Sequence, residues 1–145
     1  MGRLRADFVD RVEAFVHQML DIVNLLEARG TRPRLLDQIA AAATSVGANV
    51  CEADEGMSRA DFVKCLSIAS KELSETRFWL RLSARRNWIP QDSATLVLAE
   101  SLELQRILGS IIRRSKLPRE TPKPTATKVP TANRTPPESH QPQGR

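Results

Sequence analysis

The sequence predicts an all-α protein, an antiparallel up-down four-helix bundle followed by a disordered proline-rich C-terminal tail. Three observations lead there. Apolar residues recur at three-and-four spacing in four successive blocks, the signature of amphipathic helices. No block alternates apolar and polar residues as a half-buried strand would. Of the nine prolines, seven (Pro118, Pro122, Pro124, Pro130, Pro136, Pro137, Pro142) fall after Leu117.

Helix one is expected from about Ala6 to Ala28, with Phe8, Val12, Phe15, Met19, Ile22 and Leu26 on one seam. Val9, Val16 and Val23 widen the seam to a bundle stripe. Gly30 is placed to stop this helix, and Pro33 to open the next at its first turn. Helix two should run from Pro33 to about Asp54 with Leu36, Ile39, Ala43, Val46 and Val50 inward. The residues around them (Ala40 to Ala43, Ser45, Gly47, Ala48) are small, so this helix can approach its neighbours closely. Gly47 costs about 1 kcal/mol of helix propensity relative to alanine, and close packing is reason enough for it.

Ser58 followed by Asp61 has the form of a capping box, so helix three should begin there. Its inner line is Phe62, Leu66, Ala69, Leu73, Thr76, Leu80 and Ser83, with Trp79 beside it. Asn87-Trp88-Ile89-Pro90 should end it, because a residue before proline avoids the α region. Helix four is expected from Gln91 to about Ser115, with Leu98, Leu102, Gln105, Leu108 and Ile112 along one side. Leu104, Ile107 and Ile111 widen that stripe. Short connections make neighbouring helices antiparallel.

The chain of 145 residues thus divides into a bundle domain, 1–116, and a tail, 117–145, too poor in large apolar residues to offset its chain entropy. The formal net charge is +5. The tail holds five basic residues (Arg119, Lys123, Lys128, Arg134, Arg145) against two acids (Glu120, Glu138), so +3 of the excess lies there. The folded part is mildly basic, which permits an anionic partner without establishing one. No signal peptide and no membrane span is discernible, and the expected location is the cytoplasm.

Enzymatic chemistry finds no constellation of residues. Cys51 and Cys65 lack CxxC spacing, no histidine pair completes a zinc site, and neither His17 nor His140 follows a glutamate by three as a bundle dimetal site requires. His17 has no catalytic motif around it, and no Gly-rich phosphate loop is present. The expectation is a protein that is not an enzyme and carries neither metal nor cofactor.

Two polar groups carry alternative readings. Asn49 and Glu52, at i and i+3, share a helix face; a polar network fixing local structure is favoured over contact with nucleic acid. Arg77, Arg81 and Arg85, adjoined by Arg86, form a basic stripe on helix three, and Arg113, Arg114 and Lys116 add charge at the end of helix four. They are either a solvated face with Glu72 and Glu75 nearby for ion pairs, or phosphate contacts. Phe78, Trp79 and Trp88 could stack on bases, although packing is the commoner use.

Gln38 with Ala42-Ala43-x-Ser45-Val46-x-x-Asn49-Val50-x-Glu52, then Phe62-x-x-x-Leu66-x-Ile68-Ala69 and Glu75-Thr76-x-x-Trp79-Leu80, resembles one family of four-helix bundles over roughly Phe8 to Arg114. It is typified by proteins encoded within large-subunit ribosomal RNA intervening sequences, and the accessory variability determinant of diversity-generating retroelements resembles it too. Two departures stand out. Ala40 and Ala41 replace two residues that are often basic in the family, and Ala53 replaces a frequent glycine. The first weakens the carry-over of those residues' nucleic-acid role. The resemblance implies a homopentameric barrel with a positively charged surface. In the retroelement relatives, it implies partnership with a reverse transcriptase and nucleic acid. The function expected is therefore a homo-oligomeric accessory protein associating with RNA or DNA, and a protein-interaction scaffold is the alternative.

Overall fold

The computed structural model describes residues 2–118, and the expectation of a disordered tail falls almost wholly outside them. Four helices account for the described chain: α1 (Ala6–Ala28), α2 (Pro33–Glu55), α3 (Arg59–Arg85) and α4 (Gln91–Lys116). Four of the boundaries have a local cause. The α1 terminus is a Schellman motif, in which Gly30 N–H donates to the Glu27 carbonyl (2.9 Å) and Thr31 N–H to that of Leu26 (3.1 Å). Gly30 takes the left-handed φ of 77° that this motif needs. Pro33 opens α2. Ser58 caps α3, its hydroxyl oxygen accepting from Asp61 N–H at 3.0 Å; such a cap contributes about 1 kcal/mol. The end of α3 repeats the Schellman geometry with an asparagine: Asn87 has φ 54°, and Trp88 N–H donates to the Ser83 carbonyl at 2.9 Å.

The contacts between helix ends give the direction of each helix. Leu4 N–H, just before α1, donates to the Asp54 carboxylate at the close of α2. The Arg59 guanidinium, at the start of α3, donates to the Ser115 carbonyl near the close of α4. Arg29 at the far end of α1 donates to the Trp88 carbonyl just beyond α3. Successive helices therefore run antiparallel, up and down. The most extensive contact is between α2 and α3 and the least extensive is between α1 and α4. Across that thinnest seam Arg11 and Glu100 form a bidentate pair at 2.6 and 2.9 Å.

In α1, α2 and α3 the buried lines are those that the spacing predicts, Phe8 to Leu26, Leu36 to Val50 and Phe62 to Ser83. Phe15, Met19, Val46, Leu66, Leu73 and Leu80 are at most 1% exposed and form the centre of the core. Each such apolar side chain contributes on the order of 1.5–3 kcal/mol by leaving water. The buried Thr76 hydroxyl turns back to the Glu72 carbonyl at 2.9 Å, so its burial leaves no donor unpaired.

Helix α4 departs from expectation. Its buried line is Ala94, Val97, Ser101, Leu104 and Leu108, rotated by roughly 60° from the predicted one at 3.6 residues per turn. Leu102 is 45% exposed, and Leu98 and Ile112 are only half-buried. Gln105 lies at the α3-facing edge, within hydrogen-bonding reach of Ser70 and Ser74. Apolar residues occupy more than half the circumference of this helix, so periodicity alone leaves its facing undecided. The positions of α3 and α1 decide it.

Candidate nucleic-acid interface

The two Schellman turns put one residue type at equivalent places. Arg29 is the C-cap of α1 and Arg86 the C-cap of α3, and both lie at the end of the bundle where α2 and α4 begin. The Arg29 guanidinium donates to the Trp88 carbonyl at 2.7 Å and so ties the α1–α2 turn to the α3–α4 turn. The Arg86 guanidinium stands 5.5 Å from the Trp88 ring centroid, a cation–π contact. Between the turns is a cleft lined by Arg29, Arg32, Leu35, Arg86, Asn87 and Trp88, among others.

Of the stripe on α3, Arg81, Arg85 and Arg86 are exposed, and none of the three forms an ion pair with a described residue. Arg77 differs. It is half-buried, and one of its guanidinium nitrogens is shut off from solvent without a hydrogen-bond partner among the described residues. It therefore contributes less to the basic surface than its spacing suggests. Glu72 and Glu75 pair with none of these arginines; Glu75 instead accepts from the Trp79 indole at 3.4 Å. Segments 29–34 and 81–86 together hold six arginines and no carboxylate.

Arg113 and Arg114 do not join this group. They lie at the opposite end of the bundle, about 40 Å away for a helix of 27 residues at 1.5 Å per residue. There Arg3, Arg5, Arg59 and Arg114 rim a groove floored by Phe8, Phe62, Ile107 and Ile111. Arg59 is occupied with carbonyls at the end of α4, those of Ser115 and Leu117. Arg5 is paired with Asp7, whose carboxyl it holds below the ordinary range by a hydrogen bond. Within one chain, the six arginines singled out from the sequence thus form two groups.

Asn49 and Glu52 do not bond to each other. The Asn49 amide donates to the Ser45 carbonyl one turn back, at 2.8 Å, and Glu52 is exposed. The nearby Cys65 thiol is pushed up from its ordinary pKa, first by burial and then by the Glu52 charge. Both cysteines are free, Cys51 exposed and Cys65 buried. His17 is a surface residue 3.8 Å from Glu13. Among the described residues no group of three or more His, Cys, Asp or Glu is placed to hold a metal ion, and no helix is long and apolar enough to cross a membrane. Arg29 and Arg32 escaped notice in the sequence, although the run Arg29-Gly-Thr-Arg32-Pro-Arg34 was a visible signal. Its partner surface lies more than fifty residues away, in the turn that follows α3.

Fold and surface together define a class: an all-α four-helix bundle with arginine concentrated at its ends. The chain belongs to the 23S rRNA-intervening sequence protein family, whose model matches residues 6–110. Among solved structures, a protein of unknown function from the S23 ribosomal protein family of Bacteroides thetaiotaomicron is 33% identical, with a TM-score of 0.69. The match covers 73% of this chain and 98% of that one. Neither description names a catalytic activity. No curated protein matches significantly.

Proposed function

We propose that this chain is a non-enzymatic accessory protein, acting as a homo-oligomer in the cytoplasm and associating with nucleic acid through its basic surface. The observation that carries the reading is the group of six arginines at one end of the bundle, unaccompanied by a carboxylate in the same segments. Like charges gathered at one end of a bundle repel one another; Glu27, Asp37 and Asp92 at the same end offset part of that charge, and an anionic partner relieves the remainder. The likeness to retroelement accessory proteins supports a pentameric assembly and a reverse transcriptase as protein partner. Exposed apolar side chains support assembly as well. Phe78 and Leu102, on adjoining helices, are 48% and 45% exposed. The same two residues favour the second reading, a scaffold that docks another protein and touches no nucleic acid.

Fluorescence anisotropy of labelled structured RNA, single-stranded DNA and duplex DNA, titrated with the full chain at two salt concentrations, separates the two. Nucleic-acid association predicts salt-sensitive binding, with an affinity and salt slope that both fall when Arg81, Arg85 and Arg86 become glutamine. Affinity and slope unchanged in that variant would remove the proposed surface. Absence of binding to all three probes would leave the scaffold.

A further inference from the structure

The cleft between the two turns is a better-defined feature than the stripe beside it. It offers about 410 Å³, at the small end of ligand pockets. Three arginines, Arg29, Arg32 and Arg86, are among the residues that line it, and no acidic residue is. The neighbours that engage Arg29 and Arg86 are a carbonyl oxygen and an indole ring, neither of which carries a compensating charge. Helix dipoles treat the three unequally. Arg29 and Arg86 cap helix C-termini, where a cation is favoured, whereas Arg32 is the N-cap of α2, where a cation is disfavoured and a side chain that accepts hydrogen bonds is preferred. Arg32 has no side-chain hydrogen bond to a described residue, and α2 has no acidic residue in its first turn. Beside this charge Trp88 packs partly against the core and partly lines the cleft.

We infer that the cleft binds an unpaired nucleotide of a single strand, its phosphate on Arg29, Arg32 and Arg86 and its base against Trp88. The inference rests on the nucleic-acid reading above and adds to it a site, a strandedness and two residues off α3. Phosphate is the anion that several convergent guanidinium groups match best. The aromatic wall selects a base next to it over bare phosphate.

Trp79→Phe leaves Trp88 as the sole tryptophan and so makes it the reporter. This protein is titrated with a fluorescein-labelled single-stranded oligonucleotide, and Trp88 emission and probe anisotropy are followed in parallel. The same titration is run with the matching duplex, adenosine monophosphate and inorganic phosphate. The expected result is saturable Trp88 quenching by the single strand that tracks anisotropy, weaker quenching by the duplex, and little response to inorganic phosphate. Arg32→Gln, which removes no described contact, should lower the salt slope by about one, and Arg29→Gln/Arg32→Gln by about two. Arg29→Gln also breaks the tie to Trp88, so the single Arg32 variant, checked for native circular dichroism, is the decisive one. Oligonucleotide binding with unchanged Trp88 emission and an unchanged slope in Arg32→Gln overturns the cleft while leaving the nucleic-acid reading intact. Adenosine monophosphate quenching as tightly as the strand assigns the cleft to a free nucleotide and overturns the single-strand proposal. Absence of any oligonucleotide binding removes both.

Discussion

Replacing Gly47 by alanine sets two effects of opposite sign against each other. In a helix interior the change gains about 1 kcal/mol in propensity. A Cβ built at this position, however, stands 3.1 Å from Cγ2 of Val16 on α1. Carbon atoms pack at about 3.5–4.0 Å, so roughly half an ångström must be found. Val16 is β-branched and held to one strongly preferred rotamer in a helix, so α1 and α2 have to separate slightly. Overpacking costs about 1–3 kcal/mol, and a single contact with a half-buried partner belongs near the lower bound. The two effects nearly cancel, and Gly47→Ala should lie within about 0.5 kcal/mol of the parent. Gly47→Val adds bulk and loses the propensity gain, and should cost about 2–3 kcal/mol. In a Val16→Ala background the obstruction is gone, and Gly47→Ala should then stabilise by about 1 kcal/mol. Urea denaturation followed by circular dichroism, at constant m value, reads all four corners of the cycle. If Gly47→Ala stabilises equally in both backgrounds, close approach is not the reason for the glycine.

The Arg11–Glu100 pair spans the thinnest seam, and its side chains are 42% and 27% exposed, so after solvent screening Glu100→Gln should cost only about 0.5–1 kcal/mol at neutral pH. The Arg11 hydrogen bond holds the Glu100 carboxyl below its ordinary value. Its contribution is therefore present above the unfolded-state pKa and lost as pH falls through the lowered folded value, and the stabilities of parent and variant should converge in acid. A constant difference from pH 7 down to about 2, below the ordinary carboxylate range, would contradict this. For the thiols, a disulfide reagent should modify Cys51 quickly and Cys65 only on unfolding, since Cys65 is 6% exposed and its thiol is pushed up by burial. Equal rates for the two in the monomer would refute the placement. Joint protection at high protein concentration that is lost on dilution would mean that another copy covers the outer face of α2.

Much of this protein was readable along the chain. The seams of α1, α2 and α3, the stop at Gly30 and the cap at Ser58 are local matters, settled by spacing, backbone freedom and one side-chain hydrogen bond. Where a helix has a single apolar stripe, that stripe names its buried face. Tertiary structure decided what local rules leave open. In α4 the apolar residues extend too far around the helix, and only the positions of α3 and α1 select Leu104 over Leu102 for the core. The arginine stripe also lost a member, because Arg77 is half-buried at the edge of the buried face of α3 while Arg81, one turn on, remains in solvent. Arg29 and Arg86 meet at one cleft, while Arg113 and Arg114 lie a helix length away. That outcome depends on which helix ends an up-down path brings together. Periodicity reports which side of a helix avoids water, whereas the grouping of charges depends on long-range contacts that no single helix specifies.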